Sequence, residues 1–566
     1  MIRMRRVAAL ALAAAAAACL AACAGLPSSS PVNPGLAPGE TSSQPEYVFI
    51  PDRPQPGASP EQIVEGFIRA GTGPGGNGQW DRAREFLAPD TEWNPQAGVI
   101  VDMSGDRVTT AAQEGHVDMS LIATATVDAR GTYQRVEAGT RTLSFELARQ
   151  SDGEWRITEA PDGIVLSRDF FPSVFHRYAV FYFDQSWQYL VPDVRWFPVE
   201  NAASRVTDAL VNQEPSDWLA ASVYSFFPDS VSAVPAVPTS AGSTAEVELS
   251  EAALSLDADT LDRMLTQLEA SLATTGVTSV EMEVDSAPVA ASAVDTRSTR
   301  VAGVPLVQNA EGFGFLTGDT IEPIPGLSQA VGAVDAVAVQ VGAERDYATA
   351  LLADGHVVRL DAESGGAVVL DERPALIDPS IDPAGTVWSV PRDHPSDVVA
   401  FTLEGQRIEV AGAWPGAGTV VAMAVSRDGS RIAALVSTAG RVAVWAAGIE
   451  RDEAGVPVRL GDPIELGVAG GAPVGLAWLD DVTVGALTRA EDGSTVLEQV
   501  VGGPSSTTAA AGVMVQIAGS TSVASVRLLD DDGVLFVKRS TTWEQTATDV
   551  DTLATQQGSP EQGAGQ

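Results

Sequence analysis

The pattern of apolar and polar positions changes character several times along the chain. It opens with Arg3, Arg5 and Arg6 and an apolar stretch from Val7 to Leu20, the layout of a secretory signal peptide over residues 1–22. That stretch is shorter than the roughly 20 residues a helix needs to cross the hydrocarbon core, so a permanent transmembrane anchor is not expected. Residues 23–58 lose all periodicity and carry proline at 27, 31, 34, 38, 45, 51, 54 and 56. Such a segment cannot bury a core and reads as a stalk. Ser59-Pro60-Glu61-Gln62 then opens a helix with an N-cap serine, a first-turn proline and a capping-box glutamine, and Ile63, Val64, Phe67 and Ile68 form its buried stripe. A short second helix runs through Ala83, Phe86 and Leu87 to Pro89. Segments of β character follow at Asp106 to Thr110, Val117 to Val127, Thr140 to Leu147 and Glu154 to Thr158, parted by turns such as Ser151-Asp152-Gly153. Two helices and a meander predict an NTF2-like α+β domain over residues 59–175.

Residues 176–290 alternate differently. Eleven of the 16 Phe, 7 Tyr and 11 Trp fall between Phe170 and Phe197. Two buried strands, Ala179 to Asp184 and Trp187 to Val191 joined near Gln185, account for them; the alternative is an aromatic face that contacts a ligand such as a glycan. A helix capped by Asn201 buries Ala203, Val206, Ala209 and Leu210. A strand at Ala245 to Leu249, an amphipathic helix through Leu261, Met264, Leu265, Leu268 and Leu272, and a strand at Val277 to Val284 complete an α/β unit. The small, polar stretch from Ala287 to Arg300 reads as a linker between independently folded blocks.

From about residue 300 the chain becomes short β runs reversed at Asp and Gly, as in Ala353-Asp354-Gly355-His356, Asp382-Pro383-Ala384-Gly385 and Arg427-Asp428-Gly429-Ser430. Both residue types tolerate positive φ, which suits such reversals. Weak units of roughly 40 to 45 residues predict a β-propeller of about six blades over residues 300–551, with a β-sandwich as the alternative. Residues 552–566, rich in Gln, Gly and Ser, read as a disordered tail.

Composition alters this picture at two points. The only cysteines are Cys19 and Cys23, and Leu20-Ala21-Ala22-Cys23 resembles the bacterial lipobox. That resemblance implies that the Cys23 thiol takes a diacylglyceryl thioether, that cleavage exposes its amine, and that an N-acyl chain such as palmitate follows. Ala16 rather than leucine stands three residues before Cys19, so Cys23 is the better acceptor; the alternative is an ordinary cleaved signal with an idle cysteine. Two acyl chains hold a protein on a membrane where one is marginal. The net charge of −40 becomes −43 once the three leader arginines are gone, which disfavours nucleic acid and anionic lipid headgroups as partners.

The strand Glu154-Trp155-Arg156-Ile157, Pro161-Asp162-Gly163-Ile164 after it, and Tyr182-Phe183 followed by Val191-Pro192-Asp193 are the most specific features of the mature chain. With the lipobox and stalk, they resemble the actinobacterial LpqB lipoproteins, and the order of elements over residues 176–290 resembles a GerMN domain. The resemblance implies a multidomain, mainly β protein: an NTF2-like α+β domain, a GerMN-like α/β domain and a C-terminal β-propeller. It also implies a lipid-anchored protein on the extracytoplasmic face of the cell membrane, whose partner is the extracytoplasmic domain of an MtrB-type sensor histidine kinase in cell-wall homeostasis and division.

Catalytic patterns are sparse. Gly71, Gly73 and Gly76 satisfy a GxGxxG string, but Pro74 interrupts it and a helix precedes it, so it reads as a loop. Lys538, the only lysine, follows Val537, which excludes a GK phosphate loop. His116, His176, His356 and His394 stand far apart and form no HExxH or other metal-ligand cluster. No catalytic, cofactor or metal site is expected. A non-catalytic accessory protein is the favoured reading. The rival is an envelope glycan or peptidoglycan binder, or a propeller hydrolase, drawing on Trp187 and Trp196 or on His356 and His394 at the propeller channel.

Overall fold

The computed structural model describes residues 51–560, apart from residues 77, 104, 235–236 and 238–242. The signal peptide, most of the stalk, and Leu20, Ala21, Ala22 and Cys23 lie outside the described residues. The described residues belong to one compact body, and among them no helix is long and apolar enough to cross a membrane.

The capping box forms: the Gln62 amide donates to Ser59 Oγ and the Ser59 amide to Gln62 Oε1, which opens helix α1, Pro60–Ala70. Its buried stripe packs on a mixed sheet built around two long antiparallel strands, His116–Asp128 and Tyr133–Arg149. In the first of these, burial alternates residue by residue, so one face meets the helix and the other is partly open to solvent. Gly98–Asp102 pairs antiparallel with it and parallel with Ile164–Ser167. These two strands, too short and too apolar to show a period, escape sequence reasoning. Residues 51–58 are part of the fold and not free stalk: Pro51 is buried and the Gly57 amide donates to Glu154 Oε2 at 2.8 Å.

The aromatic segment forms a hairpin, His176–Phe183 with Leu190–Phe197. The second strand starts later than its sequence suggests, because the Asp184 carboxylate gathers the amides of Ser186, Gln188 and Tyr189 and holds residues 184–189 in the turn. Separately, Thr244–Glu248 and Ser279–Val284 pair in parallel through the crossover helix α2, Ala258–Ala273. That helix also closes the hairpin edge. Ser271 Oγ accepts the Phe181 amide, and Gln267 donates to the Phe181 carbonyl while accepting the Phe226 amide. An otherwise unpaired strand edge is thereby satisfied by buried side chains. The stretch expected as a linker is fastened to this unit: the Ser292 amide bonds Asp262, the Val294 amide bonds Thr266, and the Arg297 amide bonds the Gln188 carbonyl.

From Leu306 onward the described strands form five sheets that make six propeller blades, an eight-stranded sheet uniting blades 1 and 2 through a parallel pair. The innermost strands are Thr552–Gln556, Ala336–Val341, Ser380–Ile381, Thr419–Val425, Ala472–Trp478 and Met514–Ala518, for blades 1 to 6. Aspartates make the reversals: Asp382, Asp452 and Asp530 each accept two amides of their own turn, and a glycine at positive φ follows. The expectation of a disordered tail from residue 552 is corrected here. Thr552–Gln556 is a strand that pairs antiparallel with Leu306–Asn309 and parallel with Ala336–Val341, so the end of the chain completes blade 1 and closes the ring. Thr555 and Gln557 line the central space between the blades, so this stretch carries the polar residues of a tail instead of an apolar core pattern.

Candidate interaction surfaces

The Val191-Pro192-Asp193 stretch lies where the three modules meet. Asp193 and Arg195 are both buried, and Arg195 Nη2 donates to Asp193 Oδ2 at 2.6 Å. Arg195 also reaches the first module through the Arg130 carbonyl and Thr132 Oγ1, while Asp193 accepts the amide and hydroxyl of Ser216. Burial alone would depress the Arg195 pKa, but the Asp193 carboxylate holds it above its ordinary value. On the propeller side Arg431, in blade 4, forms a buried ion pair with Asp428 and donates to the carbonyls of Pro192 and Asp481. Trp478 lies under its guanidinium at 4.9 Å. Trp196 Nε1 donates to the Gly502 carbonyl of blade 5, and Arg135 of the first module pairs with Glu465 of blade 4.

This geometry separates the two aromatic candidates. Trp196 is buried at the junction, packed against Phe171 and Tyr133. Trp187 is 47% exposed at the hairpin turn with φ of +59°. Its ring meets Phe226 at 5.4 Å and Tyr224, itself 48% exposed, at 6.0 Å, and Arg263 sits 5.2 Å from both the Trp187 and Phe226 rings. Tyr224 and Arg263, which complete this patch, carried no sequence signal: they come from a loop and a helix far from the aromatic run.

The histidines stay apart. His116 lies between Glu146 and Asp118, His356 beside Asp354 at 3.2 Å, His394 is in an exposed loop of blade 3, and His176 begins the hairpin. Neither His356 nor His394 lines the propeller channel. Among the described residues no group of three His, Cys, Asp or Glu could hold a metal ion. The Gly71 to Gly76 loop is the end of α1, where the Trp80 indole donates to the Gly71 carbonyl.

Three family models fit the chain in the order of its modules: the LpqB lipoprotein N-terminal domain over residues 53–172, a sporulation and spore germination domain over 179–290, and the LpqB beta-propeller domain over 306–554. The chain belongs to the LpqB lipoprotein family. Lipoprotein LpqB of Bifidobacterium longum is 30% identical over 231 residues, 38% of this chain and 39% of that protein. Over that match the chain spans about two-fifths of its relative's length. Lipoprotein LpqB of Streptomyces coelicolor is 26% identical over 510 residues, 80% of each chain. Among solved structures, TolB from Acinetobacter baumannii is 11% identical with a TM-score of 0.34, covering 44% of this chain and 66% of TolB. The family's lipoprotein name fits a membrane-anchored envelope protein.

Proposed function

We propose that this LpqB-family lipoprotein, tethered through Cys23 on the extracytoplasmic face of the membrane, is a non-catalytic accessory protein that contacts the sensor region of an MtrB-type histidine kinase. One observation supports this reading above the others. The three modules are bolted together by buried polar contacts around Pro192, Asp193, Arg195 and Arg431, so a partner engaged on one module is held at a fixed attitude to the others. Rigid presentation is useful to a protein that biases the conformation of a neighbour.

The test is crosslinking on intact cells followed by pull-down of the purified protein with the kinase sensor domain, with and without Trp187→Ala and Tyr224→Ala. Capture of the kinase that falls with either substitution supports the reading. Absence of capture at any salt concentration removes the kinase as a direct partner.

A second reading rests on the same patch. Exposed Trp187 and Tyr224 beside Arg263 suit stacking on a sugar ring with a charged donor at its edge. Retention on peptidoglycan fragments, lost in the same two variants while kinase capture persists, would favour it.

A further inference from the structure

The innermost strands of all six blades line a central space of about 880 Å³, its open mouth included. One end is stitched across. Arg427, just past the blade 4 inner strand, donates from Nη2 to the Trp478 carbonyl of blade 5 and the Ser520 carbonyl of blade 6, each at 3.2 Å. Gln557 reaches from blade 1 to the Ser426 carbonyl at 2.6 Å, and Gln340 of blade 2 accepts the Ser380 hydroxyl and Ile381 amide of blade 3. The other end carries exposed Val337 and exposed Asp378. The space is therefore a cup with a polar floor, and the floor faces the junction where Arg431 meets Pro192.

The floor holds an unsatisfied cation. Arg427 is more than nine-tenths buried and has no carboxylate within ion-pairing distance among the described residues. Buried charges are normally paired. Nη2 alone is bonded, and Arg427 has no nitrogen among the sealed, partnerless atoms, unlike Nε of Arg195 and Arg431. Its remaining N–H groups therefore face open space in the cup. Burial lowers its pKa, opposed by the more distant Asp481 and Asp480. At the mouth the Asp378 carboxylate has no hydrogen-bond partner among the described residues; it is open to the cup but ringed by protein, and that loss of bulk solvent raises its pKa despite Arg392.

A carboxylate satisfies Arg427 through charge-assisted hydrogen bonds. A cationic group further up the cup satisfies Asp378. Ser380 stands level with Val425, whose amide it accepts; Asp378 precedes Ser380 and Arg427 follows Val425, so the two charges lie toward opposite ends of the cup, on the order of 10 Å apart at ~3.3 Å per residue. That is the span of a short extended peptide. A simple anion would leave Asp378 unmatched and would be repelled by a protein of net charge −40.

We infer that the propeller cup binds the free C-terminal end of a short basic peptide, its terminal carboxylate seated on Arg427 and its cationic group at Asp378.

The experiment is calorimetric titration of the full-length protein in detergent with Lys-Ala-Ala-Ala as the free acid and as its C-terminal amide. Binding of the acid, weakened about tenfold or more in the amide, is the expected result. Arg427→Gln should abolish the difference. Because that change also removes two bonds between blades, Asp378→Asn is the companion: it leaves those bonds intact, and it should weaken Lys-Ala-Ala-Ala more than acetyl-Ala-Ala-Ala while thermal unfolding is unchanged. Equal binding of acid and amide, absence of binding at millimolar peptide, or equal weakening of the two peptides by Asp378→Asn would each overturn the inference.

Discussion

The indole N–H of Trp196 donates to the carbonyl of Gly502, 306 positions later in the chain, at 2.8 Å. The bond joins the hairpin of the second module to blade 5. Gly503, the next residue, has no room for a side chain, since a Cβ there would lie 2.8 Å from the Trp196 ring. Trp196→Phe keeps most of the buried ring and loses the bond, for an expected cost of about 1 kcal/mol. Trp196→Ala also opens a cavity and should cost about 3–5 kcal/mol. Chemical denaturation followed by two probes, one in each module, checks this. Trp196→Ala should split one transition into two, and coincident transitions would show that the junction is held without Trp196.

Arg431 and Asp428 are both almost completely buried. Arg431→Ala strands the Asp428 carboxylate, and removing one partner of a buried pair costs about 3–5 kcal/mol. It also removes the bond to Pro192. Differential scanning calorimetry of Arg431→Ala against the double variant with Asp428→Ala separates the two effects: the double variant should recover part of the loss, because no unpaired charge remains.

Deleting residues from 552 onward takes away the strand that pairs with Leu306–Asn309 and Ala336–Val341. It exposes Val307, which is fully buried, and opens two sheet edges to other chains. The truncated protein should lose cooperative unfolding and aggregate, as read by light scattering during refolding. A soluble truncated protein with an unchanged melting curve would show that the ring closes without the strand.

His116 carries a pH dependence whose sign is fixed by its neighbours. Its hydrogen bond to Glu146, with Asp118 nearby, raises its pKa above the ordinary value. A raised folded pKa contributes stability that is fully present below the unfolded value near 6.5 and is lost as pH rises through the folded value. A proton NMR titration should place the His116 midpoint above those of exposed imidazoles, and Glu146→Gln should bring it down.

Local signals were the ones that could be read along the chain. The capping box at Ser59 and Gln62, the stripe from Leu261 to Leu272 and the Asp-Gly reversals act within a few residues, so their chemistry is written in adjacent letters. The closing strand was not legible, because Thr552 to Ala554 pair with residues near 307. The stretch from Ala287 to Arg300 does run between the second module and the propeller, but its backbone is held by Asp262, Thr266 and Gln188, and nothing in its sequence announces those partners. Of the candidate sites, Trp187 was visible as an aromatic, whereas Arg427 looked like one more turn residue. Only the ring of blades turns its side chain into a floor.

Closure of the ring by Thr552–Gln556 sets an order on assembly. Blades 2 to 6 can form as their own hairpins emerge, but blade 1 waits with three strands and an open flank until almost the whole chain is present. For a polypeptide made from its N-terminus, the cup and its Arg427 floor are completed only after the other blades. A chain interrupted before Thr552–Gln556 therefore exposes an adhesive edge and no formed pocket, and its half-built state differs from the finished one in the surface it offers to other chains.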